Sequence, residues 1–356
     1  VDGNSIIVTA RRSNERLQDV PIVVNVLGRE DIDVLAMQEI KCTPAQFPYG
    51  LFTDAGYEVE AHGLSQWNGV AIASRLPIIE IERGFPDAPG FGKTDADGKL
   101  PTEARALGAT IEGVRLWSLY VPNGRELEHP HYAYKLEWLA VLNRHIAAWL
   151  GENPSAPLAL MGDFNIAPFD HDVWDIAAFE GRTHVTQPER DAFHAFEKSG
   201  LVDALRSRGI EGYTYWDYQQ LRFPRDEGMR IDFILGSRRF DDLVTDARID
   251  RDERKGDGPS DHVPVVVDLD VEIDDDLDRP IAPDTVDELV ARLWQGEVSV
   301  RDLLVVPVDE AENPTKTDVV LIDRRDSTLV FAQVSPGLVS TPNTGLKARI
   351  VANFTE

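Results

Sequence analysis

Four short phrases carry side chains suited to phosphate chemistry: Gln38-Glu39, Gly162-Asp163-Phe164-Asn165, Arg230-Ile231-Asp232 and Ser260-Asp261-His262. Three of them end short apolar runs, so carboxylates, a carboxamide and an imidazole gather along one edge of a sheet. Carboxylates held close without enough buried cations cannot all stay ionised, and a divalent metal relieves that repulsion. A metal, an Asp and a His suit hydrolysis of a phosphate ester. Mg²⁺ is the expected ion, with Mn²⁺ as an alternative, because Mg²⁺ takes one or two carboxylates and completes its shell with water and phosphate oxygens.

The elements that must hold these groups are legible as short, often β-branched apolar runs at Val34 to Met37, Val70 to Ala73, Leu107 to Ile111, Leu116 to Val121, Leu158 to Met161, Ile231 to Leu235 and Val263 to Val267. They read as strands, several buried on both faces. Strand alternation after Leu158 to Met161 puts Asp163 and Asn165 on one side and Phe164 on the other, although Gly, Asp and Asn also build turns. An Asp next to His262 can fix the imidazole tautomer and raise its basicity. Apolar residues recur at helical spacing between Tyr134 and Leu150, and Gly151 stops that helix. Further helices are expected from about Glu189 to Lys198 and from about Asp172 to Ala178, and Phe85 to Thr102 reads as a surface loop. Paired strands with intervening helices predict two mixed sheets packed face to face with helices outside.

From about Leu27 to Val271 the chain resembles the exonuclease III family of DNA-repair nucleases, within the exonuclease, endonuclease and phosphatase superfamily. The four phrases carry the likeness together with Asp33-Val34-Leu35-Ala36-Met37-Gln38-Glu39, Gln66-Trp67-Asn68-Gly69-Val70-Ala71, Tyr120-Val121-Pro122-Asn123-Gly124 and Tyr215-Trp216-Asp217-Tyr218, in the family's order. The resemblance implies a four-layer α/β sandwich and a Mg²⁺-dependent phosphodiesterase on double-stranded DNA, acting 5′ to abasic sites and at 3′ ends. It implies Glu39 as a metal ligand with Asp261 near the metal, and Asp163 as base or leaving-group acid. Asn165 and Tyr120 would contact the phosphate, and Asp232 would partner His262. Tyr215, Trp216 and Met229 match apolar positions that receive an extruded abasic sugar and exclude an intact base. Counting back from Glu39 without gaps puts Ile6 to Ala10 on the family's first strand and Arg12 where the family has an active-site Asn. A cation there would pair with phosphate and oppose Mg²⁺, and Pro21 removes a donor from the helix that follows. The alternatives are a catalytically impaired mosaic that keeps metal or DNA binding, and another phosphoesterase of the superfamily.

A chain of 356 residues, 42% hydrophobic and 28% charged, reads as soluble and globular with one catalytic domain and extra segments. The net charge of -26 argues against tight nonspecific DNA binding. Local charge is expected to differ, through the Asp-rich stretch Asp268 to Asp278 and through Arg222, Arg225 and Arg230 near the proposed site. A single Cys42 and the absence of a long apolar stretch suggest a cytoplasmic protein with no membrane partner, expected to be a monomer. The expected divisions are an atypical N-terminal segment (1–26), the catalytic domain (27–271), an acidic linker (272–285) and an appended segment (286–356). In the appended segment, Val286 to Leu304 looks helical, and Val319 to Ile322 and Leu329 to Val334 look like strands. Ile6 to Arg12 with Leu17-Gln18-Asp19-Val20-Pro21, and Ser335 to Val339 through Asn343 to Ile350, resemble plug segments of TonB-dependent receptors.

Overall fold

The computed structural model describes residues 32–64, 67–95, 97–255 and 259–271, and the backbone of residues 303–309, 317–323 and 329–334. Expectations that fall on Arg12, the plug-like segments, the linker 272–285 and the helix 286–302 lie outside the described residues. The chain divides into two compact units, Val1–Glu272 and Ile273–Glu356.

In the first unit, β1 (Val34–Gln38), β2 (Glu58–His62) and β3 (Val70–Ser74) form an antiparallel sheet of order β1-β3-β2, with α1 (Tyr49–Asp54) between β1 and β2. A larger sheet contains β4 (Ile79–Arg83), β5 (Ala106–Ile111), β6 (Val114–Tyr120), β7 (Leu158–Asp163), β8 (Leu201–Asp203) and β9 (Asp232–Ser237), in the order β4-β5-β6-β7-β9-β8. The β5–β6 hairpin turns at Glu112 and Gly113, both with positive φ, the backbone that matches strand twist in a two-residue loop. β6 and β7 are parallel and therefore need a crossover, supplied by α2 (Pro130–Glu152). After α3 (Gln187–Lys198) and α4 (Arg238–Leu243), β10 (Val244–Ile249) and β11 (Val265–Leu269) pair antiparallel as a separate ribbon.

The layers follow from which faces are apolar. α2 and α3 cover one face of the large sheet through Trp138, Leu142, Phe193 and Phe196, which meet Trp117, Phe164 and Phe233. Its other face buries Leu107, Leu116, Ala159 and Ile234 with Val70, Ile72, Val244 and Ala247 of the small sheets. Beyond them, Phe52 of α1 packs on Met37, Ala61 and Ala71. This is the expected four-layer α/β sandwich, with its second sheet divided into a three-stranded and a two-stranded part.

Two expectations on elements need correction. The helix expected over Asp172 to Ala178 is a pair of 3₁₀ turns, Asp170–Asp172 and Ile176–Phe179, because Val173 is extended and bridges to Met229 while Asp175 caps a new turn through Ala177 N. In the second unit, β12 (Leu303–Asp309), β13 (Thr317–Asp323) and β14 (Leu329–Val334) form an antiparallel sheet of that order, so residues 303 and 304 are strand rather than helix end. The apolar Leu303-Leu304-Val305-Val306 run, with its β-branched Val305 and Val306, favours this, and Pro307 is tolerated on an edge strand.

Candidate active site

Sheet register assembles the site. Tyr120 closes β6 and pairs with Asp163 at the end of β7, and Asp163 pairs with Asp232 at the start of antiparallel β9. Three candidate site residues of distant sequence thus stand in one row. Gly162 permits the close approach: its φ is +135°, and a Cβ there would lie 2.2 Å from Leu119 O and 2.9 Å from the Gln38 carboxamide. Gln38 is structural, its Nε2 donating to Ser118 Oγ at 2.9 Å while Ser118 Oγ donates to Met37 O at 2.9 Å, which ties β1 to β6.

Glu39 follows β1 with φ 54°, a left-handed backbone uncommon for a non-glycine residue and frequent at functional sites. The Tyr120 hydroxyl donates to its Oε1, and Lys41 Nζ lies 2.5 Å from its Oε2. Burial opposes the carboxylate's charge, but the Lys41 and Tyr120 contacts prevail and hold its pKa below the usual range. The Tyr120 phenol is raised by burial and by the charges of Glu39 and Asp163, so it remains a neutral donor. Arg105 braces it, with the guanidinium 4.9 Å over the ring and Nη1 donating to Tyr120 O at 3.2 Å.

Asp163 is buried and accepts from Asn165 N at 2.8 Å and from Asn165 Nδ2 at 2.9 Å. Burial, reinforced by the Asp232 carboxylate, pushes its pKa up to about 8, so near neutral pH the metal-free protein carries this carboxyl protonated. Asn165 has φ 51°, and its partnership with Asp163 is that of a turn rather than of strand alternation. Phe164 points into the core as expected. The turn is anchored from beneath by Lys135, whose Nζ donates to Asn165 O at 2.6 Å, Asn123 O at 3.3 Å and Glu189 Oε1 at 2.5 Å.

His262 Nδ1 donates to Asp232 Oδ2 at 2.9 Å and Oδ1 at 3.1 Å. Burial disfavours the imidazolium, but Asp232, with Asp163 and Asp261, overrides it and lifts the pKa to about 10. Asp261 is raised by burial, with the Glu39 charge adding to the rise. Glu39 already draws the Lys41 ammonium, and the Asp261 carboxylate is burdened by burial. Among the described residues no group of three or more His, Cys, Asp or Glu side chains converges on a metal position.

The endonuclease/exonuclease/phosphatase family model matches this chain over residues 18–262, a span that contains all of these groups. The chain belongs to this family. It is similar to the exodeoxyribonuclease III of Haemophilus influenzae, 30% identical over 254 residues that cover 67% of this chain and 91% of that one. A 3′ phosphatase from Neisseria, solved with a product DNA hairpin, superposes with a TM-score of 0.63 at 34% identity, covering 70% of this chain and 93% of that chain. An AP endonuclease from Archaeoglobus fulgidus superposes with a TM-score of 0.63 at 30% identity, covering 72% and 96%. This exonuclease III/AP endonuclease-type hydrolase is therefore of the DNA-repair nuclease kind.

The remaining expected residues divide. Tyr215 and Met229 pair with each other, Tyr215 also pairs with His262, and the Tyr215 ring lies 4.9 Å from the imidazole. Both are half-buried and pack on Ala167, Val173 and Ile231, whereas Trp216 is 1% exposed and packs on Gly228 and Phe223. Arg230 is not a site cation: it is 1% exposed and its Nη2 donates to both Asp203 oxygens. Lys135, Asn123 and His184 were missed. Asn123 lies within the Tyr120-to-Gly124 phrase, which was the available signal; Lys135 and His184 had none.

Proposed function

We propose that this nuclease is a Mg²⁺-dependent phosphodiesterase that cuts duplex DNA 5′ to abasic sites and processes 3′ ends. The observation that carries the reading is the row Tyr120, Asp163, Asp232, with His262 beside it and Glu39 reached by the Tyr120 hydroxyl. Glu39 and Asp261 would hold the metal, which when bound neutralises phosphate charge and stabilises the leaving oxygen.

The protein's own groups divide the remaining work. The His262 imidazolium, kept charged by Asp232, presents Nε2 to a non-bridging phosphate oxygen and stabilises the charge that builds there. Asp163 carries the proton for the departing 3′ oxygen. As water attacks phosphorus and the P–O3′ bond breaks, that proton passes to O3′, and the proton lost by the water goes to solvent. Asn165 Nδ2 is occupied by Asp163 and by Val121 O at 3.0 Å, so Asn165 orients the Asp163 carboxyl. Tyr215 and Met229, backed by Trp216, form the apolar wall that accepts a sugar without its base.

The test is cleavage of two duplexes, one with an abasic site and one with a 3′-phosphate, at graded Mg²⁺ and in excess chelator, by wild type and Asp163→Asn. Metal-dependent cleavage that Asp163→Asn lacks supports the reading. Binding of either duplex without cleavage at any Mg²⁺ or Mn²⁺ concentration overturns it in favour of the impaired mosaic.

A further inference from the structure

We propose that His184 is a positioning residue: its imidazole, locked as the Nε2–H tautomer, donates to Asn165 Oδ1 and so holds the carboxamide that clamps Asp163. The inference rests on the proposed role of Asp163. It starts from the Asn165 amide, whose Nδ2 faces two acceptors, Asp163 Oδ2 at 2.9 Å and Val121 O at 3.0 Å. That fixes which end of the amide is oxygen. Oδ1 then receives Asn123 Nδ2 at 3.0 Å and lies 3.0 Å from His184 Nε2. Asn123 Nδ2 also approaches Nε2, at 3.3 Å, but its shorter bond is to Oδ1; a bare Nε2 would oppose the Oδ1 lone pairs at 3.0 Å, so Nε2 carries the hydrogen. On the ring's other side, Thr183 Oγ1 lies 2.9 Å from Nδ1, nearer than its other acceptor, Arg125 O at 3.3 Å, so its hydrogen goes to a bare Nδ1. The bonds run in one direction, from Thr183 through His184 and Asn165 to Asp163.

The backbone adds a second tie. His184 has φ 78°, and its carbonyl accepts from Ala167 N at 2.7 Å, so one strained residue grips the Asp163–Ala167 loop by main chain and side chain. The ring does not shuttle protons. Burial and the Lys135 ammonium, opposed by Glu189 and by the Thr183 backbone, push its pKa down to about 3, and it stays neutral near neutral pH. A neutral fixed donor can be replaced by another neutral donor; a general acid or base cannot.

The experiment compares wild type, His184→Ala and His184→Gln in single-turnover cleavage of a 3′-phosphate duplex, with duplex affinity measured separately, and reads the His184 tautomer from imidazole ¹⁵N shifts. Expected are a loss in the Ala variant on the order of tenfold to a hundredfold in the chemical step, affinity within about twofold, recovery of most of the rate by Gln, and an Nε2–H signature. An unchanged rate in a folded Ala variant, no recovery by Gln, or an Nδ1–H signature overturns the assignment. If Ala does not fold, Gln and the tautomer decide. If wild type cleaves no duplex, the catalytic reading fails while the ¹⁵N shifts still test the lock.

Discussion

Replacing Lys135 separates what a buried ion pair does for stability from what it does for the site. Neither Lys135 nor Glu189 has any exposed side-chain surface, and the two lie 2.5 Å apart. The carboxylate is held below its usual range by the ammonium, against the effect of burial. Lys135→Met strands that carboxylate, a loss of about 3–5 kcal/mol when one partner of a buried pair is removed. Glu189 Oε2 keeps Thr186 N at 3.2 Å and Thr186 Oγ1 at 2.7 Å, the capping box of α3, which places the effect near the lower end of that range. Melting should fall by roughly 6–12 °C, read by circular dichroism or calorimetry. In Lys135→Met/Glu189→Leu the stranded charge is gone, while the lost cap, about 1 kcal/mol, and the unpartnered Asn165 and Asn123 carbonyls remain, so part of the melting temperature returns. Cleavage should not return, because Asn165 O and Asn123 O still lack their Nζ donor; a deficit on the order of tenfold to a hundredfold in single turnover is expected. A double variant with wild-type rate would refute the anchoring argument, and a Lys135→Met melting point within about 2 °C of wild type would refute the buried-charge argument.

Glu39→Ala should weaken Mn²⁺ binding measured by calorimetry and abolish metal-dependent cleavage while melting within a few degrees of wild type; retained metal affinity would move the ligand elsewhere. In the metal-free protein, His262 adds stability that is complete below 6.5 and disappears as pH rises through about 10, and Asp163 adds a penalty that grows from 3.8 to about 8. Both signs make the fold weaker on the alkaline side, and Asp232→Asn should flatten the fall in melting temperature from pH 7 to pH 10; parallel curves would contradict the pairing. A chain ending at Glu272 should keep a cooperative melt and metal-dependent cleavage, since the contacts divide into compact units there; aggregation or a broad transition would place the division elsewhere.

Much of the site was readable because each central group ends or begins a strand with a strong apolar signature: Glu39 after Val34–Gln38, Asp163 after Leu158–Met161, Asp232 before Phe233–Leu235. His184 and Lys135 were not readable. One sits in an irregular loop, and the other is a lysine on an amphipathic helix, where a charge normally means a solvated face; its burial depends on Glu189, 54 residues away. Arg230 shows the reverse failure, since its neighbours suggested a phosphate-facing cation while Asp203 had already taken it up. Edge strands β2 and β4 escaped for a related reason. Their sequences, Glu-Val-Glu-Ala-His and Ile-Glu-Ile-Glu-Arg, carry only one apolar face, and charge on the other protects an edge from further pairing.

The arginines near the site decide how an acidic chain meets DNA. Arg222 and Arg225 both reach Glu227 Oε2, at 2.5 and 2.7 Å, and Arg251 reaches Asp226 at 3.1 Å. Arg222 also stacks over Trp174, and Arg251 and Arg254 stack over Phe223, so these cations support the 216–227 loop before they serve any ligand. One carboxylate shared by two guanidinium groups leaves about one uncompensated charge, and Arg125, beside Asn123 and Gly124, supplies another. Lys41 is engaged by Glu39. With the His262 imidazolium, about three phosphate charges are then neutralised on binding, and affinity for duplex should fall only roughly fortyfold between 50 and 200 mM salt, against a thousandfold or more for a protein with six or more phosphate contacts. Fluorescence anisotropy of a labelled abasic duplex with Asp163→Asn across that salt range measures the slope. A thousandfold fall would mean that the internal pairs open on DNA and release their arginines to the backbone; a shallow slope would mean that recognition rests on amide donors, the apolar wall and the metal.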